Sequence, residues 1–267
     1  MVTFNDLHWW LAAAKKYFDG NPAGTLPVVH KFGRAPDGVQ TTLTDIWDRA
    51  DATPTQSVWT APTQARVHAI VSSSTSDDGD PAGVGTRTLS VYGLTDWDTA
   101  EVSETITMNG TTPVNTANSY VIIHRLRVLT SGATSRNVGT ITATAATDGT
   151  ITAVILPNNG STQMAIYGVP SVQTLYIECI TASVQKSSGA ARHVVIQVLC
   201  NPEPDSQLTS FGMIEQYGLQ STGSSSVPWT LLPPLPVPGP SIIKIAALAS
   251  ANDLDMTARF SGTLVTN

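Results

Sequence analysis

Residues 102–112 read Val-Ser-Glu-Thr-Ile-Thr-Met-Asn-Gly-Thr-Thr. Side chains alternate with period two as far as Met108, which is the pattern of a β-strand with one buried face. Asn109-Gly110 follows at once, and this dipeptide is typical of a two-residue turn in which both central residues adopt a positive φ. The stretch therefore predicts a β-hairpin centred on Asn109-Gly110.

Similar alternation recurs from about residue 64 to the C-terminus, and no helical period competes with it. The sequence therefore predicts an all-β protein. A turn signal at Pro157-Asn-Asn-Gly160 predicts two antiparallel β-sandwich-like units, residues 64–157 and residues 158–267. The strands predicted for the first unit are Arg66–Ser72, Arg87–Tyr92, Val102–Met108, Tyr120–Leu129, Val138–Ala145 and Ile151–Leu156. Those predicted for the second unit are Gln163–Val169, Thr174–Lys186, His193–Cys200, Leu208–Leu219, Ile242–Ala249 and Asp255–Val265.

Residues 1–63 are predicted to form an N-terminal helix followed by an extended docking arm. Thr3-Phe-Asn-Asp6 resembles a capping box, and Asp19-Gly-Asn-Pro22 ends the run of helix formers. The helix is short and apolar over most of its circumference, so it needs a surface to bury against, either its own sheet or a neighbouring subunit. Residues 20–64 are rich in Pro and Gly, which is typical of a linker. The side chains predicted to dock are Phe4, Leu7, Trp9, Trp10, Leu11, Tyr17 and Phe18.

Residues 228–240 read Pro-Trp-Thr-Leu-Leu-Pro-Pro-Leu-Pro-Val-Pro-Gly-Pro. Proline lacks the backbone donor that a sheet ladder needs, so this segment is excluded as a central strand. It is predicted to be a polyproline II crossover on the surface. A recognition ligand for an aromatic groove is the alternative.

The two cysteines, Cys179 and Cys200, are predicted to lie on adjacent strands of one hairpin that turns at Ser187-Ser-Gly-Ala190. Pairing about that turn leaves Cys200 offset from Cys179. Buried thiols are therefore expected rather than a disulfide.

Composition limits the classes of partner. Only 13% of the 267 residues are charged, the net charge is −6, and no polybasic block is present. Nucleic acid and anionic membrane are therefore excluded as expected partners. No apolar run has the length of a membrane span, and no basic segment precedes the first apolar stretch, so a soluble product of the cytosol is expected.

Catalytic and metal-binding patterns are missing from the sequence, so neither a cofactor nor a metal is expected. The histidines are scattered without ligand spacing, and His124 alternates with apolar residues in a strand, where packing or pairing is the expected role. Two acidic clusters, Ser76-Asp-Asp-Gly-Asp80 and Asp96-Trp-Asp98 with Glu101, fall in predicted loops. Calcium binding is the functional alternative for them, and ordinary turn chemistry is the structural one. Trp97 offers a surface for stacking on a sugar or an anchor into a core.

Several stretches, in their order along the chain, resemble virion structural proteins of tailed bacteriophages. They are Val29-His-Lys-Phe-Gly33, Asp45-Ile-Trp47, Gly93-Leu94, Glu101–Thr112, Gly139-Thr-Ile-Thr-Ala-Thr144, Gln163-Met-Ala-Ile-Tyr167 and the ending from Asn252-Asp-Leu-Asp255 through Leu264-Val-Thr-Asn267. The resemblance covers nearly the whole chain after residue 28. It implies a β-rich particle component on the capsid, neck or tail, and it brings no catalytic residues with it.

These observations lead to one expectation and two alternatives. The expectation is a non-enzymatic capsid-decorating or head-fibre subunit, made in the host cytoplasm and located in the virion, with the N-terminal arm docked on the particle. Its partners would be other virion proteins and further copies of itself, with a trimer as one candidate state. The first alternative is a tail or neck fibre or adhesin that binds the host surface or glycans through Trp59, Trp97 and loop carboxylates. The second is a β-sandwich depolymerase.

Overall fold

The fold was analysed in a computed structural model, which describes residues 27–50, 56–185, 192–206, 210–221, 224–251 and 254–267. Within these ranges the chain forms β-strands and one 3-10 turn at Asp48–Ala50, and the all-β prediction is confirmed. The predicted N-terminal helix and all seven docking side chains lie outside the described residues. The strands are β1 Val28–Val39, β2 Thr44–Asp45, β3 His68–Ser72, β4 Thr86–Leu94, β5 Val102–Thr107, β6 Val114–Asn115, β7 Ile122–Ser131, β8 Ile141–Ala145, β9 Ile151–Ile155, β10 Ile166–Val169, β11 Gln173–Gln185, β12 Arg192–Asn201, β13 Gly212–Ser221, β14 Ser224–Pro238, β15 Ser241–Ala249 and β16 Leu254–Thr266.

Eight strands form a jelly roll from two antiparallel sheets, one of four strands and one to which β2 adds a fifth. One sheet has the order β1-β16-β11-β14, and the other has the order β10-β15-β12-β13, with β2 also paired to β15. The strand pairs β1/β16, β10/β15, β11/β14 and β12/β13 are nested like the arms of one long hairpin rolled into two layers. This nesting is the double Greek-key arrangement of jelly-roll proteins.

The strands from β3 to β9 lie between β2 and β10 in the sequence and form two further sheets. Their orders are β6-β3-β8-β9 and β5-β4-β7. We refer to β1 and β10–β16 as the jelly roll and to β3–β9 as the inserted unit. The predicted division near Pro157 stays a prediction, because strand pairing does not measure whether the two units unfold independently.

Alternating side chains build the core of both units. In β16, for example, Met256, Ala258 and Phe260 point inward and are buried, whereas Thr257 and Arg259 are exposed. Inward-facing side chains of all four sheets form a continuous hydrophobic cluster. The two units are therefore packed against each other across apolar contacts.

The predicted hairpin at Asn109-Gly110 is wrong. β5 pairs with β4, its predecessor in the chain, and the strand after the turn, β6, pairs with β3 in a different sheet. Gly110 has a φ of 56°, but Asn109 does not have a positive φ. Thr112 N donates to Asn109 O at 2.9 Å, so the turn exists. It carries the chain from one sheet of the inserted unit to the other.

The predicted hairpin around the cysteines is also wrong. Cys179 lies in β11 and Cys200 in β12, and these strands belong to opposite sheets of the jelly roll. The proposed turn lies outside the described residues. Both cysteines are free thiols, and Cys200 is buried. Cys179 is only partly buried, so the expectation of buried thiols holds for Cys200 alone.

Two further segments differ from their predicted form. Residues 228–238 belong to β14, which is hydrogen-bonded to β11, so they are not a polyproline II crossover. β14 is nevertheless an edge strand, which agrees with the prediction that its prolines exclude it from the centre of a sheet. Residues 28–39, predicted as part of a linker, form strand β1 and pair with β16 from Val28 to Val39. In the described part of residues 20–64, the chain therefore contributes an edge strand to the jelly roll.

Candidate functional site

Polar side chains meet in a cavity of about 280 Å³ where the jelly roll contacts the inserted unit. β1 and β10 supply one wall, and β7 with the loop before β5 supplies the other. The titratable and charged side chains that line this cavity are His30, Lys31, Glu101, His124, Arg125 and Tyr167. We call Lys31, Glu101, His124 and Tyr167 the junction cluster.

Lys31 occupies an inward-facing position of β1. Its neighbours on the same face, Val29 and Gly33, are also buried, and Lys31 itself is 8% exposed. The ammonium donates a hydrogen bond to the backbone oxygen of His124 on β7. A strand of the jelly roll is thereby joined to a strand of the inserted unit through a buried lysine.

His124 is the centre of the cluster and is 1% exposed. Its Nε2 lies 2.5 Å from Oε2 of Glu101. Its ring packs on Tyr167 of β10 with 4.5 Å between ring centroids. The expectation that His124 packs and pairs is therefore confirmed, and the stack is a second link between the two units. Among the described residues, none forms a hydrogen bond with Nδ1 of His124.

Burial and charge shift the proton affinities of the cluster. Burial, with the nearby positive charge of Arg125, lowers the pKa of Lys31 to about 7. Burial also lowers the pKa of His124, against the opposing effect of Glu101. Burial raises the pKa of Glu101, but the hydrogen bond and charge of His124 and the charges of Lys31 and Arg125 outweigh it and hold that pKa below its usual value. Burial raises the pKa of Tyr167, and the phenol stays protonated at neutral pH.

The chemistry available to this cluster is proton binding. The imidazole and the carboxylate are bound to each other, and the lysine ammonium is bound to a backbone oxygen. Throughout the ranges that the structure describes, no group of three or more His, Cys, Asp or Glu side chains is placed to hold a metal ion. The cluster therefore joins two units of the chain and exchanges protons as the pH changes.

Sequence reasoning identified His124 but not its partners. No local sequence pattern links Lys31 to His124, because the two residues are 93 positions apart. The available signal was the alternation of Val29 and Lys31, which places a lysine on the apolar face of a strand. The Pro and Gly content of that segment predicts a linker instead, and this prediction conceals the strand.

The first predicted acidic loop is organised by one buried carboxylate. Asp77 is fully buried and accepts hydrogen bonds from four protein donors, at distances of 2.6–2.9 Å. Its oxygens are therefore committed to the fold, which supports the turn-chemistry interpretation over calcium binding. The donors are Ser72 Oγ, Thr86 N, Val138 N and Gly139 N.

The second acidic loop is likewise tied to protein donors. Asp96 Oδ1 accepts from Asp98 N at 2.8 Å, and Asp98 Oδ1 accepts from Ser171 Oγ at 2.8 Å. Glu101 belongs to the junction cluster. Its carboxylate and those of Asp96 and Asp98 thus serve different partners and do not converge on one ligand.

The tryptophans that supported glycan binding are buried. Trp59 is 1% exposed, and its Nε1 donates to Thr152 O at 2.8 Å. Trp97 is also buried in the hydrophobic cluster. Neither ring presents a face to a sugar, so the residues cited for the adhesin alternative are core anchors.

Exposed apolar side chains do gather on the edge strands β13 and β14. Met213 and Ile214 of β13 are exposed, and Leu232 of β14 is 86% exposed. Tyr217 and Trp229 stack between these strands with 4.2 Å between ring centroids. The sequence did not predict this surface, because residues 228–240 were expected to form a crossover and not a strand.

Within the described residues, no helix is both long and apolar enough to cross a membrane.

No protein-family profile matches this chain, and no curated protein sequence matches it. Two solved structures of infectious bursal disease virus proteins have weak similarity to it. The structure of the Gt strain has a TM-score of 0.25 and 10% identity, over 92% of this chain and 74% of that chain. A mutant VP2 protein in derived T=1 particles has a TM-score of 0.24 and 11% identity, over 92% of this chain and 72% of that chain. Similarity at this level supports no argument about the fold or the function of this chain.

Proposed function

We propose that this protein is a non-enzymatic virion structural protein, a capsid-decorating or head-fibre subunit anchored to the particle by its N-terminal arm. The observation that carries the proposal is the jelly roll with a second β unit inserted between β2 and β10. Jelly rolls are the architecture of many viral capsid and lectin domains. One unit can lie in an assembly while the other projects from it.

The candidate acid and base groups discussed above are engaged by other protein groups, which supports a structural role. The buried carboxylate of Asp77 is saturated by protein donors. His124 and Glu101 are bound to each other. General acid or base catalysis needs such groups within reach of a substrate proton.

The proposed partners are other virion proteins, from the capsid or from the neck and tail, and further copies of this chain. The resemblance to virion proteins of tailed bacteriophages supports this choice, and so does the low content of charged residues, which is 13%. The proposed location is the virion, with synthesis in the host cytoplasm. The burial of Trp59 and Trp97 favours this role over the glycan-binding adhesin.

The experiment is deletion of residues 1–20 from the full chain. We expect circular dichroism to keep its β signal and particle incorporation to be lost, because the apolar helix is proposed to bind the particle rather than the core. A sharper experiment compares two double variants. One carries Trp9→Ala and Trp10→Ala, and the control carries Lys15→Ala and Lys16→Ala. Only the tryptophan pair should reduce incorporation.

Two results would overturn the proposal. Loss of the β signal in the deletion variant would show that the helix is part of the core. Normal incorporation of the deletion variant would show that the arm is not the anchor. Imaging of intact particles that carry a labelled C-terminus then separates a capsid position from a neck or tail position.

A further inference from the structure

We propose that Lys31, His124 and Glu101 form an acid-opened latch that holds the inserted unit against the jelly roll. Lys31 comes from β1 and donates to the backbone oxygen of His124 on β7, in the inserted unit. His124 in turn contacts Tyr167 on β10 and Glu101 before β5. The same few side chains therefore bridge the two units from both sides of the cavity.

The charges around the latch decide the direction of its response. The titratable and charged groups that line the cavity are His30 and Lys31 from β1, Glu101 from the loop, His124 and Arg125 from β7, and Tyr167 from β10. Glu101 supplies the negative charge of this set. Protonation of both Lys31 and His124 beside Arg125 leaves three cations opposite one carboxylate. Two of those cations are buried, and a buried charge without its own counter-charge is unfavourable.

The sign of the pH effect follows from linkage. Burial lowers the pKa of Lys31 to about 7 and lowers that of His124, so the closed latch binds fewer protons than an opened, hydrated one. As the pH falls from the usual lysine range toward 7, Lys31 favours opening. Below the usual histidine range, His124 adds to the same tendency.

The test is hydrogen exchange of the full-length protein, resolved along the chain and corrected for intrinsic exchange rates. One extra proton on the open form changes the opening equilibrium by about tenfold for each pH unit. We expect protection of β1, β7 and β10 to fall by about that factor per unit between about pH 9 and 7, and again below about pH 6.5. β12 and β13 should keep their protection, because they lie away from the cavity.

Matched variants assign the two steps. Lys31→Met should remove the upper step, and His124→Gln should remove the lower one. His193→Gln is the control, because His193 is an exposed histidine on β12. Burial lowers the pKa of His68 to about 4, so an opening that exposes β3 would add its own step below about pH 6.5. That step would appear in the protection of β3 and would remain in His124→Gln.

Two outcomes would overturn the latch. One is a wild-type pH dependence in both Lys31→Met and His124→Gln, and the other is an acid-induced loss of protection spread evenly over all strands. If either variant fails to fold, the imidazole signals of the wild-type protein decide. His124 must then titrate below the usual histidine pKa, at the pH where the loss of protection in β7 levels off, and titration at or above the usual value contradicts the proposal.

Discussion

Buried polar side chains hold the loops of this protein at the residue scale. Asp77 draws Ser72, Thr86 and the backbone of residues 138–139 together around one carboxylate. Lys244 and Asp45 form a buried ion pair with 2.6 Å between Nζ and Oδ2, and this pair joins β15 to β2. Such groups stabilise a fold only while every partner is present, because each lost partner leaves a buried donor or acceptor unpaired.

Asp77→Ala should lower the free energy of unfolding by about 3 kcal/mol or more, because several buried donors lose their acceptor at once. Urea denaturation measures the loss. Asp80→Ala is the matched control, since Asp80 is an exposed residue of the same loop. Equal stability of the two variants would contradict the role assigned to the Asp77 carboxylate.

Asp48 should make stability depend on pH in the direction opposite to the usual behaviour of a carboxylate. Burial raises its pKa to about 7, against hydrogen bonds that include the one from Gln163 N. A raised pKa means that the folded state binds the extra proton, so the stabilisation is present below about pH 4 and is lost as the pH rises to about 7. The change is at most about 4 kcal/mol.

Asp48→Asn should remove this dependence, because the amide stays neutral. The free energy of unfolding of the variant, minus that of the wild type, should rise between about pH 4 and 7. Taking the difference cancels the contributions of the other titrating groups. A difference that is flat with pH would show that Asp48 is ionised in the folded protein.

Turns and edges decide the behaviour of single elements. The Asn109-Gly110 turn does not close a hairpin, but it still requires a left-handed residue at Gly110, whose φ is 56°. A Cβ at this position would lie 3.2 Å from Cα of Thr75. Backbone strain and a close contact therefore act together at this one glycine.

Gly110→Val should destabilise the inserted unit by about 1–3 kcal/mol through this strain. Gly110→Asn is the matched control, because asparagine adopts the left-handed region at a lower cost. Hydrogen exchange along the chain shows where protection is lost. Loss confined to β3–β9 would support two separate units, and uniform loss from residue 64 to 267 would show one cooperative domain.

β14 protects the edge of its sheet through its prolines. Gly239 N donates to Gln173 O. In this part of the ladder, the backbone N–H and C=O groups that point toward β11 therefore belong to residues 235 and 237. Pro234, Pro236 and Pro238 alternate with them and therefore face the free edge. Three successive outward positions lack a backbone donor, and another strand cannot pair there.

Replacing these three prolines with threonine should increase self-association, because the new edge offers donors to a second chain. Light scattering after gel filtration measures the change in mass and in soluble fraction. Pro202→Thr is the control, because Pro202 is exposed but lies outside every strand. A triple variant that stays as soluble as the wild type would contradict the protective role.

At the scale of the whole molecule, one nested pairing brings the first and the last described strands together. β1 and β16 are neighbours although more than two hundred residues separate them, and the inserted unit interrupts the jelly roll between β2 and β10. The shape of the described part of the molecule therefore depends on contacts between residues that lie far apart in the chain.

Chelators and reductants should accordingly leave the melting temperature and the oligomeric state unchanged. In the described residues, no metal-binding group of side chains is present, and Cys179 and Cys200 are free. Calorimetry with and without a calcium chelator checks the first part, and the same scan with a thiol reductant checks the second. A drop of several degrees with the chelator would restore the acidic loops as a calcium site.

The candidate site was predictable only in part. His124 was correctly interpreted as a packed and paired strand residue, because the alternation around it is local. Glu101 was assigned to an acidic loop, and Lys31 to a linker, because the residues that complete their environment lie on other strands. The burial that shifts the pKa of Lys31 exists only after β1 and β7 have met.

The positions of twelve strands were determined by the sequence itself, because side-chain alternation is a local signal and each predicted strand overlaps an observed one. The sequence did not determine which strands pair with each other. β5 pairs with β4, and Cys179 and Cys200 lie in opposite sheets rather than in one hairpin. Every strand offers the same backbone donors and acceptors, so pairing is chosen by how the apolar faces are buried together. That choice involves residues far apart in the chain, and the tertiary structure alone decides it.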